Sequence, residues 1–159
     1  MEESSLEIVV FEVERRRFGL TLAQTNEVHR LPAVVPLPKA PAIVEGVVNL
    51  RGKVVPVLDI RARFRLPPKP GEPSDHLIAA DAGGRLVGLR VDRVLDLASV
   101  AASDIEAAEA LAEGIEYVAG VAKLADGLVL IHDLRTFLAE AEAEALDEAV
   151  ANTNAEAGK

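Results

Sequence analysis

The chain has no cysteine, which excludes disulfides and thiol chemistry and fits a reducing compartment. It has no tryptophan, one tyrosine and four phenylalanines. With aromatics at 3 %, there is no platform on which nucleic-acid bases could stack and no aromatic groove for proline-rich peptides. No apolar run approaches the roughly 18 residues of a membrane span. Positive charge is also scarce: 17 Lys and Arg stand against 26 Asp and Glu, a net charge of −9. That balance argues against phosphate backbones and anionic membranes as partners. The expected location is cytoplasmic. No Gly-rich phosphate loop, HExxH or nucleophile elbow occurs. The three histidines, His29, His76 and His132, lie far apart without neighbouring ligands, so neither a metal nor another cofactor is expected.

What is present is β-rich. Gly46 to Asp59, GVVNLRGKVVPVLD, reads as strand, tight turn, strand. Val47, Val48 and Leu50 form one apolar run and Val54 to Leu58 a second, both dominated by β-branched residues and too short for an ordinary helix. Gly52 suits a tight turn. Pro56 has no amide to donate, so its strand is expected at an edge or carrying a bulge there. Arg51 is a charged residue at the lip of an apolar hairpin, which makes it either a solvated turn residue or a contact point.

The hairpin recurs. Gly120 to Leu138 aligns with Gly46 to Phe64 at one offset, 120 − 46 = 138 − 64 = 74, with Gly46/Gly120, Val47/Val121, Leu50/Leu124, Val55/Val129, Asp59/Asp133 and Arg61/Arg135 identical. Upstream, Phe18-Gly19-Leu20 matches Val87-Gly88-Leu89, and Glu27-Val28 matches Asp96-Leu97, both at an offset of 69. The chain therefore reads as two copies of one β-rich unit of about 60–70 residues, related by a pseudo-two-fold axis.

In order along the chain, Leu6 to Val13 predicts a mostly buried strand, Glu14 to Arg17 a turn and Phe18 to Leu22 the return strand. Ala23 to Arg30 predicts a short helix or helical turn, with Leu22 and Val28 facing inward and Thr25, Asn26 and Glu27 toward solvent. His29 is expected in a surface or packing role. Four prolines between Leu31 and Val44 exclude helix and force an extended crossing. Asp59 is placed to cap a short helix running to Leu66. A Pro-rich linker over 67–75 separates copy one, about 6–66, from copy two, about 76–138. Copy two opens with a strand over Leu77 to Ala80, turns at Gly83-Gly84 and returns through Leu86 to Leu97. The acidic stretch Ser99 to Glu113 is a helix or loop in which Ser103 and Glu106 resemble a capping box. His132 is a packed or edge histidine. Asp133 is expected to cap a last helix with Leu134, Leu138 and Ala141 on one stripe. Residues 141–159 form the acidic end of that helix and a tail, disordered beyond Val150.

Two aspartates at equivalent positions of a duplicated β protein, Asp59 and Asp133, raise an alternative: an aspartic-type hydrolase, in which two carboxylates share a proton. The sequence contexts, Asp59-Ile60-Arg61 and Asp133-Leu134-Arg135, suit helix starts instead.

Four motifs carry a family resemblance: Phe18 to Arg30, then GVVNLRGKVVPVLDIRARF, then VGLRVDRVLDL, then YVAGVAKLADGLVLIHDL. In this order and spacing they resemble the CheW domain of bacterial chemotaxis coupling proteins, over residues 6–140. The resemblance implies a mainly β fold, two interleaved SH3-like five-stranded β-barrels with short helices and a C-terminal helix. It implies a stand-alone, non-enzymatic adaptor that binds the cytoplasmic helical hairpin of chemoreceptors and the regulatory domain of the histidine kinase CheA, in arrays at the membrane. Residue by residue, it places receptor binding at Thr25, Glu27, Gly46, Arg51, Val94 and Leu97, with Glu27 and Arg51 as an acid–base pair. It assigns no residues to the kinase face. Thr25 and His29 depart from the valine and aliphatic residue usual there. Relatives of this fold also serve pilus, surface-sensing or developmental pathways, which stands as a second functional alternative.

Overall fold

The computed structural model describes residues 4–107, 118–134 and 140–157. They form eleven strands in two sheets. The strands are β1 (Ser5–Val13), β2 (Arg16–Thr21), β3 (Thr25–Arg30), β4 (Val44–Leu50), β5 (Lys53–Leu58), β6 (His76–Asp81), β7 (Leu86–Val91), β8 (Arg93–Ala101), β9 (Ile105–Ala107), β10 (Val118–Leu124) and β11 (Gly127–His132). Two α-helices accompany them among the described residues, α1 (Ile60–Arg63) and the C-terminal α2 (Glu140–Ala157). The fold is mostly β, as expected.

One sheet runs β8-β1-β2-β11-β10-β9 and the other β3-β6-β7-β5-β4. Under the offsets of the repeat, β1, β2 and β3 correspond to β6, β7 and β8, and β4 and β5 to β10 and β11. Each sheet thus joins the first two strands of one copy to three equivalent strands of the other, in the same order, and the six-stranded sheet adds the short β9 from the second copy at its edge. Details follow the same rule. The parallel pair Val57↔Gly88 recurs as Ile131↔Gly19, since 131 − 57 = 74 and 88 − 19 = 69. The register shift between Val44 and Gly46 recurs between Val118 and Gly120. A Cβ on Gly120 would lie 2.7 Å from the Glu106 carbonyl oxygen, and one on Gly46 would collide with that of Val35, so in both copies glycine admits a crossing segment against the hairpin.

That crossing segment curls each sheet. β8 and β9 are the outermost strands of a six-stranded order, yet only residues 102–104 separate them. Flat, the edges would lie about 24 Å apart at ordinary strand spacing. The four chain steps from Ala101 to Ile105 reach about 14 Å at most. In the other sheet the segment after β3 turns back to pair Val35 with Val47 of β4. Neither sheet has a continuous ladder across this seam, so the expected five-stranded barrels are two curled, SH3-like sheets of six and five strands.

Each curled sheet encloses a small core, and the cores correspond: Ile8, Ala122, Val129 and Ile131 in one, Leu77, Val48, Val55 and Val57 in the other. The largest core lies between the sheets, where Phe11, Phe18 and Leu20 meet Leu58, Ile78, Leu89 and Val91, with Leu146 and Ala149 of α2. Strands β1 and β7 therefore bury both faces.

Several expectations change. Thr25 to Arg30 is a strand, not a helix; only Leu22–Gln24 forms a 3-10 turn. Pairing with β6 along the whole stretch overrides its weak helical pattern, and the alternation leaves Leu22 and Val28 exposed rather than inward. Leu86 to Leu97 is not one strand. It breaks at Asp92, where the chain passes from one sheet to the other. Ser103 lies inside a 3-10 turn and Glu106 in β9, so they form no capping box, and residues 108–117 lie outside those described. β5 is an interior strand without a bulge at Pro56. Proline is tolerated because Val47 opposite it bonds to Val35, and the pairing of β5 with β7 begins only at Val57. Helix α2 continues through Ala157, past the expected end at Val150. Leu134 is helical, but 135–139, including Leu138, lie outside the described residues.

The linker is docked: buried Arg90 donates to the Lys69 carbonyl at 2.7 Å and grips both oxygens of Glu45 at 2.6–2.9 Å. At the crossover, buried Arg61 of α1 donates to both oxygens of Asp92 at 2.9 Å and also meets Glu14. Burial alone would lower the Arg61 pKa, but Asp92 and Glu14 outweigh it and raise it. Burial likewise pushes Asp92 up, while the Glu14 amide and Arg61 pull it below the usual carboxylate value.

Candidate functional site: a groove between two equivalent strands

Strands β3 and β8 are exposed edges of different sheets. Between them runs a groove of about 450 Å³. One wall is Thr25 to Val28, the other Val94 to Leu97, and Val9 and Leu22 complete the lining. The walls correspond position by position at the offset of 69, so the groove lies on the pseudo-two-fold axis. Each wall carries a register shift at the same place, between Thr25 and Glu27 on β3 and opposite Val10/Phe11 on β8. The extra residues there are Asn26 and Leu95. A bulge bends an edge strand and spoils it as a template for another strand. On β8 the Asp96 carboxylate also occupies the Leu97 amide, at 2.8 Å.

The groove presents several apolar side chains to solvent. Val28 is 42 % exposed, Leu95 42 % and Leu97 61 %, with Leu22 beside them. Clustered exposure of this kind marks an interaction surface more often than isolated apolar residues do. A cluster of charged side chains sits at the β3 rim, opposite Asp96 on the other wall. Asn49 and Gly52 shape the β4–β5 turn, in which Arg51 (φ 53°) and Gly52 (φ 85°) both take left-handed conformations. The turn carries Arg51 to Glu27 on β3, where Nη1 meets Oε1 at 2.9 Å. The other carboxylate oxygen of Glu27 lies 2.6 Å from His29 Nε2.

Of the residues singled out in the sequence, Thr25, Glu27, Val94 and Leu97 line this groove, and Arg51 joins it through Glu27. Gly46 does not. It is buried beneath the Val35 backbone and holds the shape of the hairpin. Val28, Leu95, Asp96, Leu22 and Val9 were not singled out as site residues. The Val28/Leu97 correspondence is the available signal, masked by a local helical pattern that would turn Val28 inward.

A larger cavity of about 960 Å³ lies between the docked linker and Leu31 to Val34. Of its charged residues, Arg90 is bound to Glu45 and Lys69 pairs with Glu72, which leaves it a structural seam. Asp59 lines it while accepting the Ala62 amide at 3.2 Å, as a helix cap does. Asp59 follows β5 and Asp133 follows β11, strands of different sheets, and the hydrolase alternative is not favoured. Among the described residues no cluster of three His, Cys, Asp or Glu could hold a metal, and no helix is long and apolar enough to cross a membrane.

Compared with known proteins, residues 7–142 match the CheW-like domain. The chemotaxis protein CheW of Rhizobium meliloti is 32 % identical over 143 residues, covering 87 % of this chain and 91 % of the relative. That of Klebsiella aerogenes is 27 % identical, covering 89 % and 86 %. The crystal structure of the scaffolding protein TtCheW from Thermoanaerobacter tengcongensis superposes with a TM-score of 0.79 at 27 % identity, covering 87 % of this chain and 96 % of that one. Two interleaved sheets, the repeat that relates them and these matches lead to one conclusion: the chain belongs to the CheW-like domain family.

Proposed function

We propose that this chain is a non-catalytic adaptor of chemotaxis-type signal transduction, coupling the cytoplasmic hairpin of a chemoreceptor to the regulatory domain of a CheA-type histidine kinase. The family assignment supports the adaptor role. The observation that carries the receptor site is the groove on the pseudo-two-fold axis, with apolar walls and the Glu27–Arg51 pair at its rim. Bulged edges do not favour strand addition, so the groove suits a helical partner laying apolar side chains between β3 and β8. Thr25, Val94 and Leu97 supply contact area, while Glu27 and Arg51 set register and partner choice. Holding receptor and kinase at once, the adaptor lets a shift in one bias the conformational equilibrium of the other. The working place of the protein is then the cytoplasmic face of a receptor array.

The test is Arg51→Glu, in pull-downs against a receptor cytoplasmic hairpin and, separately, a CheA regulatory domain. Arg51 is 78 % exposed, so the pair contributes about 0–1 kcal/mol to stability. The expected result is loss of hairpin capture, retained kinase-domain capture and a nearly unchanged melting temperature. Unchanged hairpin capture would remove the groove from the account.

A further inference from the structure

The Glu27 carboxylate has two oxygens, and each meets a different base: His29 Nε2 at 2.6 Å and Arg51 Nη1 at 2.9 Å. We propose that His29 is a proton-controlled positioning residue of the groove rim: its charged form holds Glu27 on the strand and releases Arg51 to a carboxylate on an acidic helical partner. The proposal rests on the reading of the groove as a receptor site.

Residues 27 and 29 share one face of β3, which is why their side chains meet. A neutral imidazole donates a hydrogen bond to the Glu27 carboxylate without cancelling its charge, and Arg51 then carries the only full positive charge on that carboxylate. A charged imidazole adds a full positive charge to that hydrogen bond, making it an ion pair that neutralises Glu27 without Arg51. Arg51 is free to respond. Its side chain is 78 % exposed on a turn, against 35 % for Glu27 and 28 % for His29. Imidazole is the side chain whose charge ordinarily changes between pH 5 and 8. The other charged or titratable neighbours are few: Arg30 and His76 face each other one register step along the β3–β6 pair, Leu77 opposite His29 is apolar, and Asp96 stands on the far wall. Aliphatic residues at position 29 would lack this control.

The experiment follows the Arg51 guanidinium and His29 imidazole by NMR in the full chain from pH 5.5 to 8.5. The Arg51 signals are expected to move with the midpoint of the His29 imidazole, and to be flat over that range in His29→Leu and in Glu27→Gln. Arg51 signals that stay still while His29 titrates would overturn the proposal. In a second arm, a receptor cytoplasmic hairpin should bind about two- to five-fold tighter at pH 6 than at pH 8, the span an exposed ion pair can shift, with no such ratio in His29→Leu. The same ratio in both proteins would overturn it. Coupled titration with no hairpin binding at either pH would support the proton coupling and defeat the receptor reading instead.

Discussion

Single residues decide how the two sheets hold together. Arg61, buried at the crossover, gives both oxygens of Asp92 a partner and binds Glu14 and the Pro67 carbonyl as well. Removing one member of a buried charged cluster strands the others, so Arg61→Ala should lower stability by about 3–5 kcal/mol in denaturant melts, with Asp92→Asn less severe. Asp92 titrates below its unfolded value when folded, so its contribution is present above about pH 4 and is lost as pH falls through the folded value. His132 sits between Phe11, Phe18 and Phe64, with ring centroids 4.9–5.3 Å away. Burial pushes its pKa from 6.5 down to about 3. Between those values the unfolded chain binds the extra proton, so stability is full above pH 6.5 and declines on acidification toward pH 3. His132→Phe should flatten the stability profile between pH 4 and 6.5, read from chemical denaturation at each pH, while leaving the Asp92-dependent loss at lower pH in place. His132 was legible as a packed histidine from its strand context; its three phenylalanine neighbours were not, because Phe11 and Phe18 come from the β1–β2 hairpin and Phe64 from beyond α1, both far from His132 along the chain.

At the scale of elements, period-2 apolar patterns were reliable where a strand buries a face and misleading where it does not. β1, β4, β5, β10 and β11 carry β-branched residues into a core, and their sequences say so. β3 is an edge strand whose apolar members, Leu22 beside it and Val28 within it, face the groove rather than a core. Its strand character comes from β6, about 50 residues away along the chain. Helix α2 is the opposite case. Its alanine-rich and acidic sequence reads as a solvated end, yet Leu146 is fully buried in the core between the sheets, and Arg63–Glu142 (2.5 Å) and Arg85–Asp147 tie it down. Leu146→Ala should lower stability by about 2–5 kcal/mol, whereas Asp147→Ala, breaking a mostly exposed pair, should cost less than about 1 kcal/mol. If helix α2 were an appendage, thermal melts would show both changes to be small.

At the scale of the molecule, the two copies of the repeat do not form two bodies. Each sheet takes β1 and β2, or β6 and β7, from one copy and its remaining strands from the other. A fragment ending in the linker therefore keeps only hairpins and edge strands, without an enclosed core. Residues 1–70 alone are expected to give an unfolded spectrum by NMR, as are residues 71–159, while an equimolar mixture should recover dispersed signals. A folded isolated half would mean that the cores within and between the sheets are separable.

The sequence alone determined the β class and the duplicated hairpin with its glycines and the Asp59 cap, because repeated turn chemistry and β-branched runs are local properties of the chain. The exchange of strands between copies, the facing of β3 and β8 across a groove, and the sharing of Glu27 between His29 and Arg51 were settled only in three dimensions. Pairing partners for edge strands and buried charges come from distant segments, and nothing in a short stretch of sequence encodes which segment will arrive.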